Sequence, residues 1–342
     1  MKLGVTQESG RSEIRNNSGL GPLEGELILS GGTKNLNEIE IEISAEEVFQ
    51  IIKDDLVRVK GEIAKAGNIT LEQYLNLRRL KLSEQPIIDN SFFNQALMWI
   101  SAEEEEQRFS WVETDKIVGR PFAQDFSDGW SHEYHSRTGR IVQIATNLLR
   151  GVLQDRDDMV KAAIDHVFHH QNKPYERIQL FVLEGPGGPI YLVEDGTHRV
   201  AAAKLLGLKR IPCSVISIKY PLKQVTTDRE MFEYWQRAID LGLIQGSSNI
   251  VDRNGSTTKY EIQVTSELFP WIRVYHQHKF LRINQIYEKV YPDSLRNLPI
   301  PRDALLDEVA NNHFMAGPKK WQDWVQKFSN KPRDKDGLVA YY

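Results

Sequence analysis

The sequence predicts an α/β (α+β) protein: a small mixed sheet with helices packed on it, flanked by mainly helical segments. Three observations predict this class. Apolar residues recur at three- and four-residue steps over 44–63, 141–153 and 157–170, the spacing of helices with one buried face. Between 178 and 218 the period changes to β-like runs, IQLFVL, IYLV and IPCSVISI. Residues 194–215, EDGTHRVAAAKLLGLKRIPCSV, then run strand, turn, helix and strand, punctuated by Asp195-Gly196 and Gly207.

Composition sets the bounds. A chain of 342 residues has room for about two domains. Hydrophobic residues at 40% and charged residues at 26% fit a soluble globular protein with a real core. A net charge of −4 provides no global field to attract DNA or an acidic membrane surface. Cys213 is the only cysteine, which excludes an internal disulfide and a multi-cysteine zinc site. No run approaches the ~18 apolar residues of a membrane span. The opening residues also lack the apolar core of a signal peptide. The expected compartment is cytoplasmic, with no membrane partner.

Each element can be justified in order. Residues 1–40 are polar and rich in Gly, Ser and Asn, the composition of a flexible arm or small hairpin. Ser44 with Glu47, and Thr70 with Gln73, form capping boxes that open two helices; Gly67 closes the first. A third short helix is expected over 91–100. The acidic run Glu103–Glu106 reads as a solvated helix end or linker. WVETDKIV, 111–118, reads as a short strand. It enters a long loop, 119–140, dense in Asp, Glu, His and Arg. Two helices follow, to 153 and to 170. Strands at 178–183 and 190–194 form a hairpin about the turn EGPGGP. A helix over 198–206 stops at Gly207, and a strand over 211–218 follows.

Beyond Pro221 the chain reads as mainly helical. Thr227 and Glu230 suggest a box opening a helix that Gly242 ends. A hairpin is expected over 250–264 about Asn254-Gly255. Helices are expected near 274–290, after Pro301 and from Pro318. The last of these carries the stripe Trp321, Trp324, Val325 and Phe328. His166 and His170 share a helix face, but no third ligand completes a metal site. EGPGGP lacks the G-K-[ST] ending of a P-loop.

The chemistry concentrates at 194–199. A helix N-terminus offers unpaired N–H groups and a partial positive charge, so it attracts anions. Gly196 permits a sharp turn and close approach of an anion to the backbone. His198 and Arg199 add donors, and a guanidinium matches phosphate oxygens in bidentate fashion. Gly196, Thr197, His198 and Arg199 are therefore the candidate phosphate-binding residues. Asp195 has three open roles: holding Mg²⁺, fixing the His198 tautomer, or capping the helix.

The ordered run D-G-x-H-R-x-A-A-x-x-x-L-G-x-x-x-I-P-x-x-V resembles the signature of the ParB/sulfiredoxin superfamily. The resemblance covers roughly 109–220 and neither flank. With the flanks read from composition and periodicity, the chain divides into four segments: an arm (1–40), a helical segment (41–108), the nucleotide-binding domain that the resemblance implies (109–220), and a mainly helical C-terminal domain with a charged tail (221–342). Sulfiredoxins place a catalytic cysteine where this chain has Thr197, which argues against that chemistry. Chromosome-partitioning ParB proteins have arginine at the position of His198, bind CTP and read DNA through a downstream helix-turn-helix. The basic residues available here for DNA are Lys319, Lys320, Lys327, Lys331 and Arg333.

The motif is most similar to the free serine kinase branch, which shares Asp195, His198 and Arg199. That likeness implies a nucleotide (ATP, ADP or CTP) with Mg²⁺ and phosphoryl transfer to a small hydroxyl substrate, or nucleotide hydrolysis. The alternative is a nucleotide-gated, DNA-associated protein without turnover. A carboxylate from the 119–140 loop is the implied base. Asp125, Asp128 and Glu133 are the candidates, and Glu133, between His132 and His135, is preferred. Glu133, Asp195 and His198 thus form the expected catalytic set, with Asp195 as the metal ligand.

Overall fold

Ser44 caps the first helix as expected: its hydroxyl accepts from the Glu47 amide at 3.1 Å. Glu47 itself does not close the box. Its carboxylate accepts from Trp111 Nε1 at 2.9 Å and ties the helix to a sheet edge. This helix, α1 (Ala45–Lys65), presents Val48, Ile52, Leu56 and Val59 to the core at i, i+4, i+8 and i+11. Each is fully excluded from water, which stabilises by roughly 1.5–3 kcal/mol per side chain. The second box closes in both directions: Gln73 N–H donates to Thr70 Oγ1 at 3.2 Å and Thr70 N–H to Gln73 Oε1 at 2.7 Å, opening α2 (Leu71–Ser83).

The computed structural model describes residues 43–67, 69–83, 85, 87, 104–119, 130, 138–168, 177–219, 224–227, 229–240, 242–253, 257–269, 271, 277–298, 300–328, 331–333, 335 and 337–339. The expected N-terminal arm, the helix expected over 91–100 and the polar loop after Gly119 (Trp130 and 138–140 apart) lie outside the described residues.

The fold is mixed α/β. A five-stranded sheet has the order β1-β5-β3-β4-β2. Its members are β1 (Glu104–Glu113), β2 (Ile117–Gly119), β3 (Gln179–Leu183), β4 (Ile190–Asp195) and β5 (Arg210–Lys219). β1 with β5 and β3 with β4 run antiparallel, whereas β3 with β5 and β2 with β4 run parallel. The acidic run is therefore not a linker. It begins an edge strand, with Glu104 in register with Lys219 and Glu113 with Arg210. Charged residues on an edge strand deter pairing with another chain, so β1 follows edge-strand composition rather than the hydrophobic pattern of an interior strand. WVETDKIV also divides: Trp111–Glu113 end β1, Thr114–Lys116 form a 3-10 turn, and Ile117–Gly119 pair at the opposite sheet edge.

β3 and β4 are continuous apolar runs because both sheet faces are covered. Along β4, Tyr191 and Val193 face one core while Ile190 and Leu192 face another. In β3, Leu180 and Val182 join the first core and Leu183 the second. The first face carries α1, α2, α3 (Thr138–Leu153), α4 (Asp157–Phe168) and α5 (Thr197–Leu206). The N-terminal helices thus complete the core of the sheet domain instead of forming a segment of their own.

The second face is covered by residues beyond 220. These form α6 (Arg229–Asp240), α7 (Gln277–Val290), α8 (Arg302–Leu306), α9 (Glu308–Met315) and α10 (Pro318–Phe328). They also form a three-stranded sheet in the order β6-β8-β7 (Gln224–Thr227, Thr257–Glu267, Ile244–Arg253). The expected hairpin is present but much longer than 250–264, and Thr227 lies in β6 instead of capping α6. The polar sequence of β7, IQGSSNIVDR, carries little β signal by itself; its full-length pairing with β8 supplies the order. No helix among the described residues is long and apolar enough to cross a membrane.

The turn EGPGGP is the point where the C-terminal region grips the sheet. Tyr287 Oη accepts from Gly187 N–H at 2.6 Å and donates to the Gly188 carbonyl at 2.9 Å. Tyr291 Oη donates to the Pro189 carbonyl at 2.5 Å. Gly185 is required by close approach: a Cβ there would stand 2.7 Å from Tyr287 Cζ and 2.8 Å from Trp271 Cη2.

Candidate functional site

β4 delivers the chain to Asp195, and Gly196 turns it into α5 with φ of 90°. That left-handed conformation is natural for glycine and strained for other residues. No side chain caps the helix; the Arg199 and Val200 amides both turn back to the Gly196 carbonyl, at 2.9 and 3.0 Å. The other amides of this first turn belong to Thr197 and His198.

Arg199 folds back over the glycine. Its Nη2 lies 3.4 Å from Asp195 Oδ2 and 3.5 Å from the Arg177 carbonyl, and its side chain is 17% exposed against 63% for Asp195. Thr197 is buried and His198 half-buried. Arg177, which the motif does not include, meets Arg199 through its carbonyl, while its guanidinium lies 4.2 Å from the Phe109 ring centroid. Its position two residues before the first strand of the hairpin gave no signal; the antiparallel pairing of β3 with β4 brings its backbone beside the turn.

The helix behind this turn is anchored at its other end. Gly207 terminates α5 with φ of 67°. Arg58 Nη2 donates to the Gly207 carbonyl at 2.5 Å, and Arg78 Nε donates to the Leu205 carbonyl at 3.1 Å. The Asp55 carboxylate accepts from the Lys209 amide at 2.7 Å. Cations at the C-terminal carbonyls complement the helix dipole and hold α5 in register with α1 and α2. Ala201, Ala202 and Ala203 are fully buried, as the small-residue pattern predicts, and let the helix lie close against its neighbours.

The structure therefore brings together Asp195, Gly196, Thr197, His198 and Arg199. Glu133, Asp125, Asp128, His132 and His135 lie outside the described residues, as does His170. Among the described residues no group of three or more His, Cys, Asp or Glu side chains forms a metal cluster. Asp195 alone is a single exposed carboxylate. A Mg²⁺ ion held by one carboxylate takes its remaining ligands from phosphate oxygens and water, so Asp195 by itself fits a nucleotide-borne metal.

Cys213 lies fully buried on β5, as expected of a residue in an apolar run, and burial pushes its thiol pKa well up. Trp324 is core, stacked on half-buried Trp321 with ring centroids 5.0 Å apart. Of the basic residues considered for DNA, Arg333 is held by Asp303 at 2.9 Å, while Lys327 and Lys331 lie over the Phe328 ring. Sequence reasoning missed Lys204, a lysine embedded in the buried run AAAKLL. Its flanking residues were the available signal, because a lysine amid consecutive core positions cannot reach bulk water. No protein-family model matches the chain, and neither the comparison with curated proteins nor that with solved structures gives a match.

Proposed function

We propose that the Asp195–Arg199 turn binds the phosphates of a nucleotide and supports phosphoryl transfer to a small hydroxyl substrate, or nucleotide hydrolysis. One observation carries the reading: a left-handed glycine opens an uncapped helix, with the Arg199 guanidinium folded over it. An anion at this turn meets backbone N–H groups, a helix dipole and a preoriented guanidinium together. The likeness of the motif to the free serine kinase branch of the ParB/sulfiredoxin superfamily supports the same reading.

In this mechanism Arg199 exchanges its long contact with Asp195 for phosphate oxygens. Asp195 would then be free to hold a Mg²⁺ ion carried by the nucleotide, which would supply positive charge beside the phosphates. His198 supplies a further donor beside the phosphates. Glu133 is the proposed base, accepting the proton of the attacking hydroxyl.

The test is a panel of ATP, ADP, CTP and GTP with Mg²⁺, following binding and turnover for wild type and Arg199→Ala. Binding by wild type that weakens about tenfold or more in Arg199→Ala supports the site. Absence of binding by every nucleotide, or equal binding by the variant, overturns it. Turnover separates the enzyme from the nucleotide-gated DNA-associated alternative.

A further inference from the structure

A second concave region lies at the far end of α5, away from Gly196. It is a cavity of about 620 Å³ whose lining includes Gln85, Thr114, Asp115, Lys204, Lys209 and Arg210. Lys204 forms part of its wall and is only 3% exposed. Its Nζ donates to the Thr114 carbonyl and, at 3.1 Å, to Gln85 Oε1. It also sits 5.2 Å from the centroid of the Trp130 ring. Among the described residues the groups in contact with it are neutral, and Asp115 lines the same cavity without touching it.

A buried ammonium lacking a contacting counter-charge is disfavoured relative to the neutral amine. Burial accordingly lowers the Lys204 pKa to about 7, against a smaller opposing pull from Asp115. A neutral lysine amine in a cavity is a nucleophile toward carbonyl carbon. The surrounding charges define which carbonyl compound fits. Lys209 precedes β5 and Arg210 starts it, and both are exposed. Glu113 is taken up by Lys116 at 2.9 Å, which leaves Asp115 as the opposing acid. Arg78 on α2 is committed to the Leu205 carbonyl. With Lys116 paired to Glu113, the described residues at the mouth place Lys209 and Arg210, the latter over the Trp111 ring, against Asp115.

We propose that this cavity takes a small carbonyl compound bearing an acidic group, an aldehyde or 2-oxo acid, and that Lys204 Nζ condenses with it to an imine. The nitrogen lone pair forms the C–N bond while the carbonyl π pair moves to oxygen. Two protons leave nitrogen, the oxygen departs as water, and the imine remains. No oxidant or metal takes part. Lys209 and Arg210 hold the acidic group at the rim while the carbonyl carbon reaches the amine.

The experiment uses the full chain with glyoxylate and sodium cyanoborohydride, which reduces the imine to a stable amine, followed by peptide mapping by mass spectrometry. At pH 7 Lys204 is expected to be modified about tenfold or more ahead of exposed Lys319 and Lys320, which are almost entirely protonated there. Its labelling should level off above about pH 8, while theirs continues to rise toward pH 10. Lys209→Gln should slow labelling by glyoxylate severalfold and leave labelling by acetaldehyde unchanged. Labelling of Lys204 no faster than of the surface lysines, or only after addition of urea, overturns the proposal and leaves the side chain as a tether between α5 and the Thr114 turn. Equal glyoxylate labelling in Lys209→Gln overturns the preference for an acidic carbonyl compound.

Discussion

The Arg199 guanidinium packs directly over the α-carbon of Gly196: a Cβ built there would stand 3.0 Å from Nη2 and 3.1 Å from Nε. The same Cβ would stand 3.0 Å from Ile178 Cγ1, a core atom at the start of the hairpin. Glycine at this position thus meets two requirements, the left-handed turn into α5 and the space for the arginine.

Gly196→Ala is expected to destabilise the protein by roughly 1–3 kcal/mol, because the turn becomes strained and Arg199 must move. Urea unfolding measures the loss. Nucleotide binding should fall in parallel under conditions where the variant remains folded. A variant as stable as wild type would show that the turn can relax without the glycine.

Tyr287 joins the C-terminal region to the hairpin turn through one oxygen. Tyr287→Phe leaves the Gly187 amide and the Gly188 carbonyl without their partner, at about 1–3 kcal/mol. Gly185→Ala acts by another route, driving a methyl into the Tyr287 and Trp271 rings, and overpacking of this kind costs about 1–3 kcal/mol. Hydrogen exchange of the 184–189 turn should accelerate in both variants, while the amides of α1 stay protected.

Lys204 gives stability a specific pH dependence. Its folded pKa is about 7, below the ordinary 10.5 of an unfolded lysine. Between those values the unfolded chain binds more protons, so this group makes stability rise with pH across that window. The slope approaches ~1.4 kcal/mol per pH unit. Below about pH 7 both states are protonated, the penalty is complete and the contribution is flat. Lys204→Met removes the penalty, so the stability difference between variant and wild type should shrink steadily from pH 7 to pH 10. Parallel stability curves over that range would refute the depressed pKa.

Cys213 is sealed in the first core and its thiol is held protonated by burial. A colorimetric disulfide reagent at pH 8 should titrate less than a tenth of a thiol per folded chain within minutes, and one thiol on unfolding. Fast reaction of the native protein would contradict the packing of β5 against α1 and α4.

The features legible in the sequence share a local cause. The helix periodicities, the Ser44 and Thr70 caps, the glycine stops and the strand–turn–helix at 190–206 depend on the chemistry of neighbouring residues. Gly67, Gly207 and Gly242 indeed take φ of 79°, 67° and 73°. The turn at 195–199 was legible for the same reason, since its five residues are contiguous.

What failed was set by partners distant along the chain. Glu103–Glu106 looked solvated because four successive acids carry no hydrophobic pattern, yet β1 is ordered by pairing with β5 about a hundred residues later. Glu47 looked like a capping residue because Ser44 stands at the right spacing, and Trp111 takes its carboxylate instead. EGPGGP looked like a bare turn because nothing local indicates that Tyr287 and Tyr291 will close on it.

By itself, then, the sequence determined the α/β class, most helix boundaries and a glycine-hinged turn into α5, because propensity and capping act over a few residues. Tertiary structure alone decided that α1 and α2 complete the sheet's core, that the Arg177 carbonyl meets Arg199 at the turn, and that Lys204 is buried in the wall of a cavity. Burial and electrostatics depend on which distant groups meet, and no single stretch of chain specifies that.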